Sequence, residues 1–537
     1  MLFRAMLLLG LLLGSADSSF SQTNPAQPNV LLIIADDLGI DATNGYQSNA
    51  LMPVTPHLDS LRTAGLTFTN AWSTPVCTST RGSIMSGKYG VKTGVLGAPG
   101  NLNLSDSSVF TRLRTATNSA YAGAVIGKWH ISMPLDPSHP QQHGVDHYDG
   151  LMEAGVADYY NWTRYENGVQ AQETTYATSY LTDAAITWVN GQNSPWFLWL
   201  AEMAPHTPFH EPPTNLYTST PVGTNRRKFI AMIEAMDAEI GRLLDNIPAA
   251  VRNNTLVIFV GDNGTAGQVV QYYPSTRAKG TLYQGGIHVP FFVSGPMVTR
   301  VNQVEDGLVY VSDICATILE ATGNSLPGGI DNSLSFYSLL SNANVPTRPY
   351  NYSELTSSDV TGWTIRNAQY KLLDLDSTGQ EFYDLVNDPL ETTNLIGSLT
   401  VALDSIKNDL ETEALTIRAS WSCRDLIQNG DETGIDCGGS NCAPCAPTAT
   451  GPGLGGPGAE VTVYPNPNTG RFSVRAVSTG ILSVEVFDGQ GRQLTSVPGE
   501  GRGEITLDLT GRATGRLFVR TITANRTVVK RCLISDF

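Results

Sequence analysis

NVLLIIADDLG, Asn29 to Gly39, is the stretch whose reading decides the fold. Val30 to Ala35 are all apolar and run straight into two carboxylates, Asp36 and Asp37. An apolar run without polar alternation suits a strand covered on both faces, as in a parallel sheet between helical layers. Three further stretches repeat the plan. AVIG, Ala124 to Gly127, leads into Lys128, Trp129 and His130. WFLWLA, Trp196 to Ala201, is followed closely by His206, and TLVIFV, Thr255 to Val260, by Gly261, Asp262 and Asn263. Helical patterns separate them. In the clearest, Arg226 to Ile247, the residues Phe229, Ile233, Met236, Ile240 and Leu243 recur at helical spacing and are expected in the core. This alternation predicts an α/β domain, a mostly parallel sheet sandwiched by helices, over residues 28–345.

Outside that region the texture changes. WTIRNAQYKLLDL and EFYDLVNDP suggest a small antiparallel subdomain, residues 346–420, ending in a short helix. Cys423, Cys437, Cys442 and Cys445 crowd into residues 421–445. They read as two disulfides stapling a loop, because their irregular spacing fits zinc less well. Cys315 sits in an apolar helical pattern and reads as core. Residues 446–460 are a Gly/Pro-rich linker with nothing to bury. Residues 461–537 show short alternating strands with Gly-rich turns, expected to form a separate small β-sandwich. At the other end, Arg4, the apolar run Leu7 to Leu13 and the small residues after it make a signal peptide pattern, residues 1–21. That run is too short to span a bilayer, and no later run is longer. A net charge of −16 without a basic block argues against nucleic acid and anionic membranes as partners. It leaves room for a local cationic pocket.

Ligands bind outside the carboxyl ends of strands in open α/β sheets. If the four apolar strands are parallel neighbours, their polar ends converge. Each cluster alone has an ordinary reading, as an N-cap carboxylate or a hydrogen-bonded histidine. Four at equivalent ends, with complementary chemistry, point to a site. Asp36, Asp37, Asp262 and Asn263 offer hard oxygens, and three packed carboxylates repel unless a cation neutralises them. Oxygen-only ligation suits Ca²⁺, with Mg²⁺ as the alternative, better than zinc. In PVCTSTRGSIMSGKYG, Pro75 to Gly90, Cys77 falls at an expected helix start, where free N–H groups favour an anion. Arg81, one turn on, reaches back to the same place. With Lys128 and Lys279, these groups make a pocket for a tetrahedral oxyanion.

ADDLG at Ala35, CTSTRGSIMSGKY at Cys77, GKWH at Gly127, APHTPF at Ala204, GDNG at Gly261, KGTLYQGG at Lys279 and FYDLVNDPLETTNL at Phe382 occur in one order. Together they resemble the sulfatase family, within the alkaline phosphatase superfamily, over Asn29 to Asn394. The resemblance implies an alkaline-phosphatase-like fold and a sulfuric ester hydrolase, with secretion suggesting a sulfated glycan substrate. It implies that Cys77 is oxidised to formylglycine by a formylglycine-generating enzyme. It implies that Asp36, Asp37, Asp262, Asn263 and residue 77 hold the metal, usually calcium. Arg81, Lys128, His130, His206 and Lys279 match the family's polar catalytic set. In the implied chemistry Asp262 helps activate the attacking hydroxyl. His206 and Lys279 protonate the departing alcohol, and His130 is the base for sulfate release. Two positions depart from the family: Ser79 stands where Pro or Ala is usual, which bears on maturation of Cys77. His288 stands in GGIHVP where Arg is frequent, and is expected to affect packing or an ion pair.

VYPNPNTGRFSV and the strands after it resemble the sorting domain of the type IX secretion system of Bacteroidota. That implies passage through the periplasm to the cell surface or medium, with the type IX machinery as partner. Two rival functions remain, a phosphonate monoester or phosphodiester hydrolase of the same superfamily, and an inactive sulfatase-like surface binding protein. Cys at the nucleophile position and all-oxygen ligands favour sulfatase over the first, and the complete polar set argues against the second. The loops between His130 and Tyr180 and between Pro208 and Thr224 are expected to shape the leaving-group pocket. There Tyr160, Trp162, Tyr165 and His210 read either as sugar contacts or as ordinary packing.

Overall fold

In a computed structural model, ten strands build one sheet: β1 (Asn29–Ala35), β2 (Gly65–Trp72), β3 (Ala122–Gly127), β4 (His147–Gly150), β5 (Trp162–Glu166), β6 (Val169–Glu173), β7 (Trp196–Ala201), β8 (Thr255–Gly261), β9 (Phe291–Ser294) and β10 (Gln303–Tyr310). The structure describes residues 27–49, 51–219, 223–324, 330–419, 461–464, 471–476, 480–487, 493–510, 515–523 and 527–534. The expected signal peptide, Cys-rich loop with its disulfides, and linker lie outside the described residues.

The strand order is β10-β2-β9-β8-β1-β7-β3-β4-β5-β6, and the central run β8-β1-β7-β3-β4 is parallel throughout. The four strands read from the sequence are therefore direct neighbours. Their register aligns the carboxyl ends: Ala35 lies opposite Gly261, Ile34 opposite Ala201, and Ala201 opposite Gly127. The residues that follow each strand thus emerge along one edge.

Period-2 side-chain alternation splits each central strand between two apolar layers. Val30, Leu32 and Ile34 enter one layer, with Ile84 and Met85 of the Cys77–Ser86 helix and Cys315 of the Asp313–Ala321 helix. Leu31, Ile33 and Ala35 enter the other, with Leu181 of the Ala177–Asn190 helix and Phe229, Ile233, Met236, Ile240 and Leu243 of the Asn225–Asn246 helix. The sheet is sandwiched by helices, as expected, and the expected core residues are buried. Where an open loop was expected after His130, β4 to β6 extend the sheet antiparallel at its edge. The β5–β6 hairpin turns at Asn167 and Gly168, both in the left-handed region.

Four antiparallel strands follow: β11 (Asn351–Thr356), β12 (Thr361–Arg366), β13 (Tyr370–Leu375) and β14 (Gly379–Asp384). The helix after them, Val401–Ala419, is 19 residues long rather than short. Leu403, Ile406, Leu410, Ala414 and Ile417 give it a full-length apolar stripe on the core, and that burial sustains its length.

The chain divides into two compact units, Met1–Ala443 and Pro444–Phe537. In the second, Val461–Tyr464, Arg471–Ala476 and Glu504–Asp508 form one sheet, and four further strands form another. Phe472, Val474 and Leu507 share a core with Ile481, Val484, Val486 and Val519 from the other sheet, giving a small β-sandwich. No helix among the described residues is long and apolar enough to cross a membrane.

Candidate active site

Asp36 and Asp37 leave the end of β1, and Asp262 and Asn263 leave β8. The amide of Asp262 donates to Ala35 O at 3.0 Å, and the amide of Asp37 donates to Asp262 Oδ1 at 3.1 Å. Asp37 adopts φ 68 and His130 φ 53. Non-glycine residues held in the left-handed region cluster at functional sites, where the surroundings over-determine them.

Cys77 opens a ten-residue helix, Cys77–Ser86, every residue of which is buried. Hydroxyls fix its start: Thr74 Oγ1 lies 2.7 Å from both Ser79 Oγ and Thr80 Oγ1, and the Thr74 amide donates to Thr80 Oγ1 at 3.1 Å. Ser79 therefore holds this turn by hydrogen bonds, where a proline would hold it by ring geometry. Gly87, at φ 75, closes the helix in the left-handed conformation a C-terminal cap requires.

Three carboxylates and three cations interlock at the strand ends. Lys128 Nζ lies 2.5 Å from Asp36 Oδ2 and 3.4 Å from Cys77 Sγ. Arg81 Nη2 lies 2.9 Å from Asp262 Oδ2 and 3.5 Å from Asp36 Oδ2, while its Nη1 donates to Lys128 O at 2.8 Å. Lys279 Nζ reaches Asp37 Oδ1 at 2.5 Å, and His206 Nε2 lies 3.8 Å from Asp37 Oδ2. His130 Nδ1 lies 3.3 Å from Cys77 Sγ. All ten sequence-predicted site residues are thus brought together.

Electrostatics differ sharply across this cluster. Burial works to raise Asp36, but Lys128, His206, Arg81 and Lys279 hold it well below the usual carboxylate range. Burial and the charge of Asp36 push Asp262 up. Burial, with Lys128 and Arg81 beside it, pushes His130 down to about 2, so its ring is neutral. Burial also lowers His206, against the pull of Asp36 and Asp37. Burial raises the Cys77 thiol despite Lys128, so the sulfur is not poised as a thiolate.

The residues fit a divalent cation. Asp36 Oδ1 and Asn263 Oδ1 are buried without a hydrogen-bond partner among the described residues. Asp36, Cys77 and Asp262 place ligand atoms within 4.8 Å of one another, as do Asp36, Asp37 and His206. A third such group, His147, Asp149 and Glu166, is already bridged by Arg164 at 2.7 Å to Asp149 and 2.5 Å to Glu166.

Two contributors to the site, and one buried acid outside it, escaped the sequence reading. Thr78 Oγ1 lies 3.1 Å from His130 Nδ1. Its hydroxyl next to Cys77 was the available signal. Thr265 Oγ1 accepts from the Gly39 amide at 3.1 Å and donates to Asp41 Oδ1 at 2.5 Å, tying the loop after β1 to the loop after β8. Glu202, directly after β7, is fully buried with neither carboxyl oxygen partnered among the described residues. An acid at a strand end was visible for it too. Of the aromatic residues weighed as sugar contacts, Trp162 and Tyr165 are buried and belong to packing. Tyr160 is 39% exposed, and His210 lies with its ring 4.2 Å from that of Tyr159. His288 packs locally, its Nε2 2.8 Å from Thr69 O.

The fold and site define an α/β protein with buried acidic oxygens set beside three cations at the carboxyl edge of a mostly parallel sheet. Residues 28–324, more than half of the chain, match the sulfatase family model, and the chain belongs to the sulfatase family. Residues 277–420 match the model of the N-sulphoglucosamine sulphohydrolase C-terminal region, and residues 462–535 that of a secretion system C-terminal sorting domain. The chain is 28% identical over 326 residues to arylsulfatase J of Mus musculus, covering 55% of this chain and 52% of that relative. It therefore spans about half the length of that relative. It is 24% identical over 452 residues to an arylsulfatase of Clostridium perfringens, covering 69% of this chain and 91% of that one. Its fold is similar to that of Ps i-CgsB, solved with k-i-k-neocarrahexaose, with a TM-score of 0.63 at 24% identity over 74% of this chain and 94% of that one.

Proposed function

We propose that this chain is an exported sulfuric ester hydrolase that releases inorganic sulfate from a sulfated glycan, using formylglycine at position 77 and a divalent cation. The observation that carries the reading is the pair of buried oxygens without a partner among the described residues, Asp36 Oδ1 and Asn263 Oδ1, set beside Cys77 at a helix N-terminus among three cations. On this reading residues 28–345 form the catalytic domain, 346–420 its C-terminal subdomain, and 461–537 a sorting domain joined through the 421–445 loop and the 446–460 linker. The sorting tail directs the chain to type IX export, so that it acts at the surface or outside the cell.

Calcium, with magnesium as the alternative, held by Asp36, Asp37, Asp262, Asn263 and residue 77, supplies a Lewis acid for the sulfuryl group. Formylglycine, made by a maturation enzyme, takes up water to give two hydroxyls on one carbon, one to attack sulfur and one that loses its proton to expel sulfate and restore the aldehyde. The contacts of Cys77 Sγ stand in for those hydroxyls. Asp262, its proton affinity raised by burial, takes the proton of the attacking hydroxyl. Arg81 and Lys128, both buried, fix positive charge where the sulfuryl oxygens gather. His206 and Lys279 stand on the opposite flank, against Asp37, and protonate the departing sugar oxygen. His130, neutral and 3.3 Å from Sγ, accepts the proton of the second hydroxyl. The glycan assignment draws on the structural relative solved with an oligosaccharide, and on Tyr160, whose exposed ring offers a face for a sugar.

The test is release of inorganic sulfate from a panel of sulfated glycans and aryl sulfates, by enzyme co-expressed with a maturation enzyme. Mass spectrometry of the residue 77 peptide accompanies it. Sulfate release with a formylglycine mass is the expected result. Full activity with unmodified Cys77, or faster turnover of phosphonate monoesters or phosphodiesters than of any sulfate ester, would overturn the reading.

A further inference from the structure

We propose that Glu391, together with Lys371, is a positioning residue that holds the Lys279 segment in register with the nucleophile and metal-ligand loops. This rests on the placement of Lys279 at the leaving oxygen. Glu391 belongs to FYDLVNDPLETTNL, a stretch that contributes no group to the chemistry above. It is 1% exposed and adopts φ 58, so the surrounding structure holds its backbone in the left-handed region.

Glu391 grips the Lys279 segment both directly and through Lys371. Oε2 accepts from the Gln284 amide at 2.6 Å, and its carbonyl oxygen accepts from Arg277 Nη1. Oε1 pairs with Lys371 Nζ at 2.5 Å, and that ammonium donates in turn to Leu282 O at 2.8 Å. Lys371 also lies over the Trp72 ring, 5.2 Å from its centre. The pair therefore fastens the chain before Lys279, at Arg277, and after it, at Leu282 and Gln284. Between these anchors the Lys279 amide donates to Thr265 O at 3.1 Å and the Gly280 amide to Pro75 O at 2.9 Å. One short segment is thus tied to the loop after β8, to the loop ahead of Cys77, and to the antiparallel subdomain. Leu282 completes the tie by packing among Leu355, Leu373, Leu375, Tyr383 and Leu385. A lysine ammonium on a flexible four-carbon stem is placed by wherever its backbone is anchored. A subdomain that supplies no group to the site thereby sets the position of the proton donor.

A merely structural ion pair would make a different prediction, and leaving groups separate the two. Glu391→Gln keeps the side-chain shape and removes the charge. On a sugar sulfate, whose alcohol is a poor leaving group, it should lose roughly tenfold or more in kcat/KM beyond its loss on a nitrophenyl sulfate, the same pattern as Lys279→Ala. The double variant should be no slower than Lys279→Ala alone, because the two changes remove one function. Equal losses on both substrates, or additive losses in the double variant, overturn the proposal. Lys371→Met removes the other half of the grip and should show the same selectivity. It carries the test if Glu391→Gln does not fold. Hydrogen exchange supplies a readout independent of turnover. Glu391→Gln should speed exchange in residues 277–286 while residues 29–35 and 255–261 keep wild-type protection, and unchanged protection of 277–286 overturns the proposal. An enzyme that hydrolyses no sulfate ester sinks the sulfatase reading, and the exchange experiment still decides the grip.

Discussion

Two buried clusters of charge in the first unit look alike in composition and differ in completeness. Around Arg348, Nε donates to Asp313 Oδ2 at 3.0 Å, and Nη2 donates to Asp313 Oδ1 at 2.6 Å and Asn332 O at 2.7 Å. Nη1 donates to Tyr89 Oη at 2.6 Å. Asp313 also accepts from the Tyr310 and Leu334 amides. At the strand ends, by contrast, Asp36 Oδ1, Asn263 Oδ1 and Arg81 Nε have no partner among the described residues. A buried polar network that satisfies every member is a fastening. One that leaves oxygens unmet beside a nucleophile position is shaped for something brought from outside.

The comparison breaks most visibly on chemistry. Cys77→Ala should abolish sulfate release, with a loss of about 10⁴-fold or more, while leaving the unfolding temperature close to wild type. Turnover and thermal unfolding on the same preparation check both halves. A collapsed fold in Cys77→Ala would mean that the site cluster, too, is a fastening.

His130→Ala sharpens the division inside the site. Transfer of sulfate to residue 77 should proceed and its release should stall, so that a covalent sulfate adduct accumulates on the peptide containing residue 77. The steady-state loss should fall within about 10²–10⁴-fold, the usual contribution of one proton-transfer group. Intact-mass measurement after substrate addition reads it directly, and a variant that turns over slowly without adduct would move His130 to the first half-reaction.

Arg348→Met tests the fastening. Removing one partner of a buried pair leaves Asp313 uncompensated and should cost about 3–5 kcal/mol of stability. The folded fraction should keep wild-type kcat and KM. Loss of turnover without loss of stability would erase the distinction between the clusters.

How much of this was legible in the sequence follows from what each signal encodes. The strands β1, β3, β7 and β8 were readable because both their faces are buried, which removes all polar residues from the run. Their adjacency was a conditional reading, since order in a sheet is a property of long-range packing. It is the register, Ala35 against Gly261 and Ala201 against Gly127, that brings the strand-end residues together. The oxygens proposed to hold a metal were legible as residue types at strand ends. The role of Thr78 was legible only as a hydroxyl next to Cys77, one among several in a hydroxyl-rich helix start. Trp162 and Tyr165 could not be assigned to cleft or core from sequence, because the hairpin β5–β6 that buries them is short and polar on its open face. Asp313 and Arg348 are 35 residues apart, and nothing local announces their pairing.

Glu202 belongs to neither cluster, and its substitution leaves stability unchanged at low pH while giving the cleanest sign. It follows β7 on the layer that packs against the Ala177–Asn190 and Asn225–Asn246 helices, where Glu239 already accepts from Ser179 Oγ at 2.6 Å and Arg242 Nε at 2.5 Å. Glu202 itself has no such partner among the described residues, and burial, with Glu239 nearby, pushes its carboxyl from 4.5 up to about 8. A raised carboxyl pKa means that the folded protein holds the proton more tightly than the unfolded chain does. Its contribution is therefore fully present below about pH 4.5 and is lost as pH rises toward about 8, beyond which the full penalty of a buried charge remains. Glu202→Gln keeps the shape and removes the titration. At pH 5 the variant and wild type should unfold at similar temperatures. At pH 8.5 the variant should be the more stable of the two, and the wild-type curve should fall between those limits with a slope of up to about 1.4 kcal/mol per pH unit. Thermal unfolding across that range measures it. Parallel curves for the two proteins would show that Glu202 is solvated or paired in solution, and would place it with the fastened groups rather than apart from them.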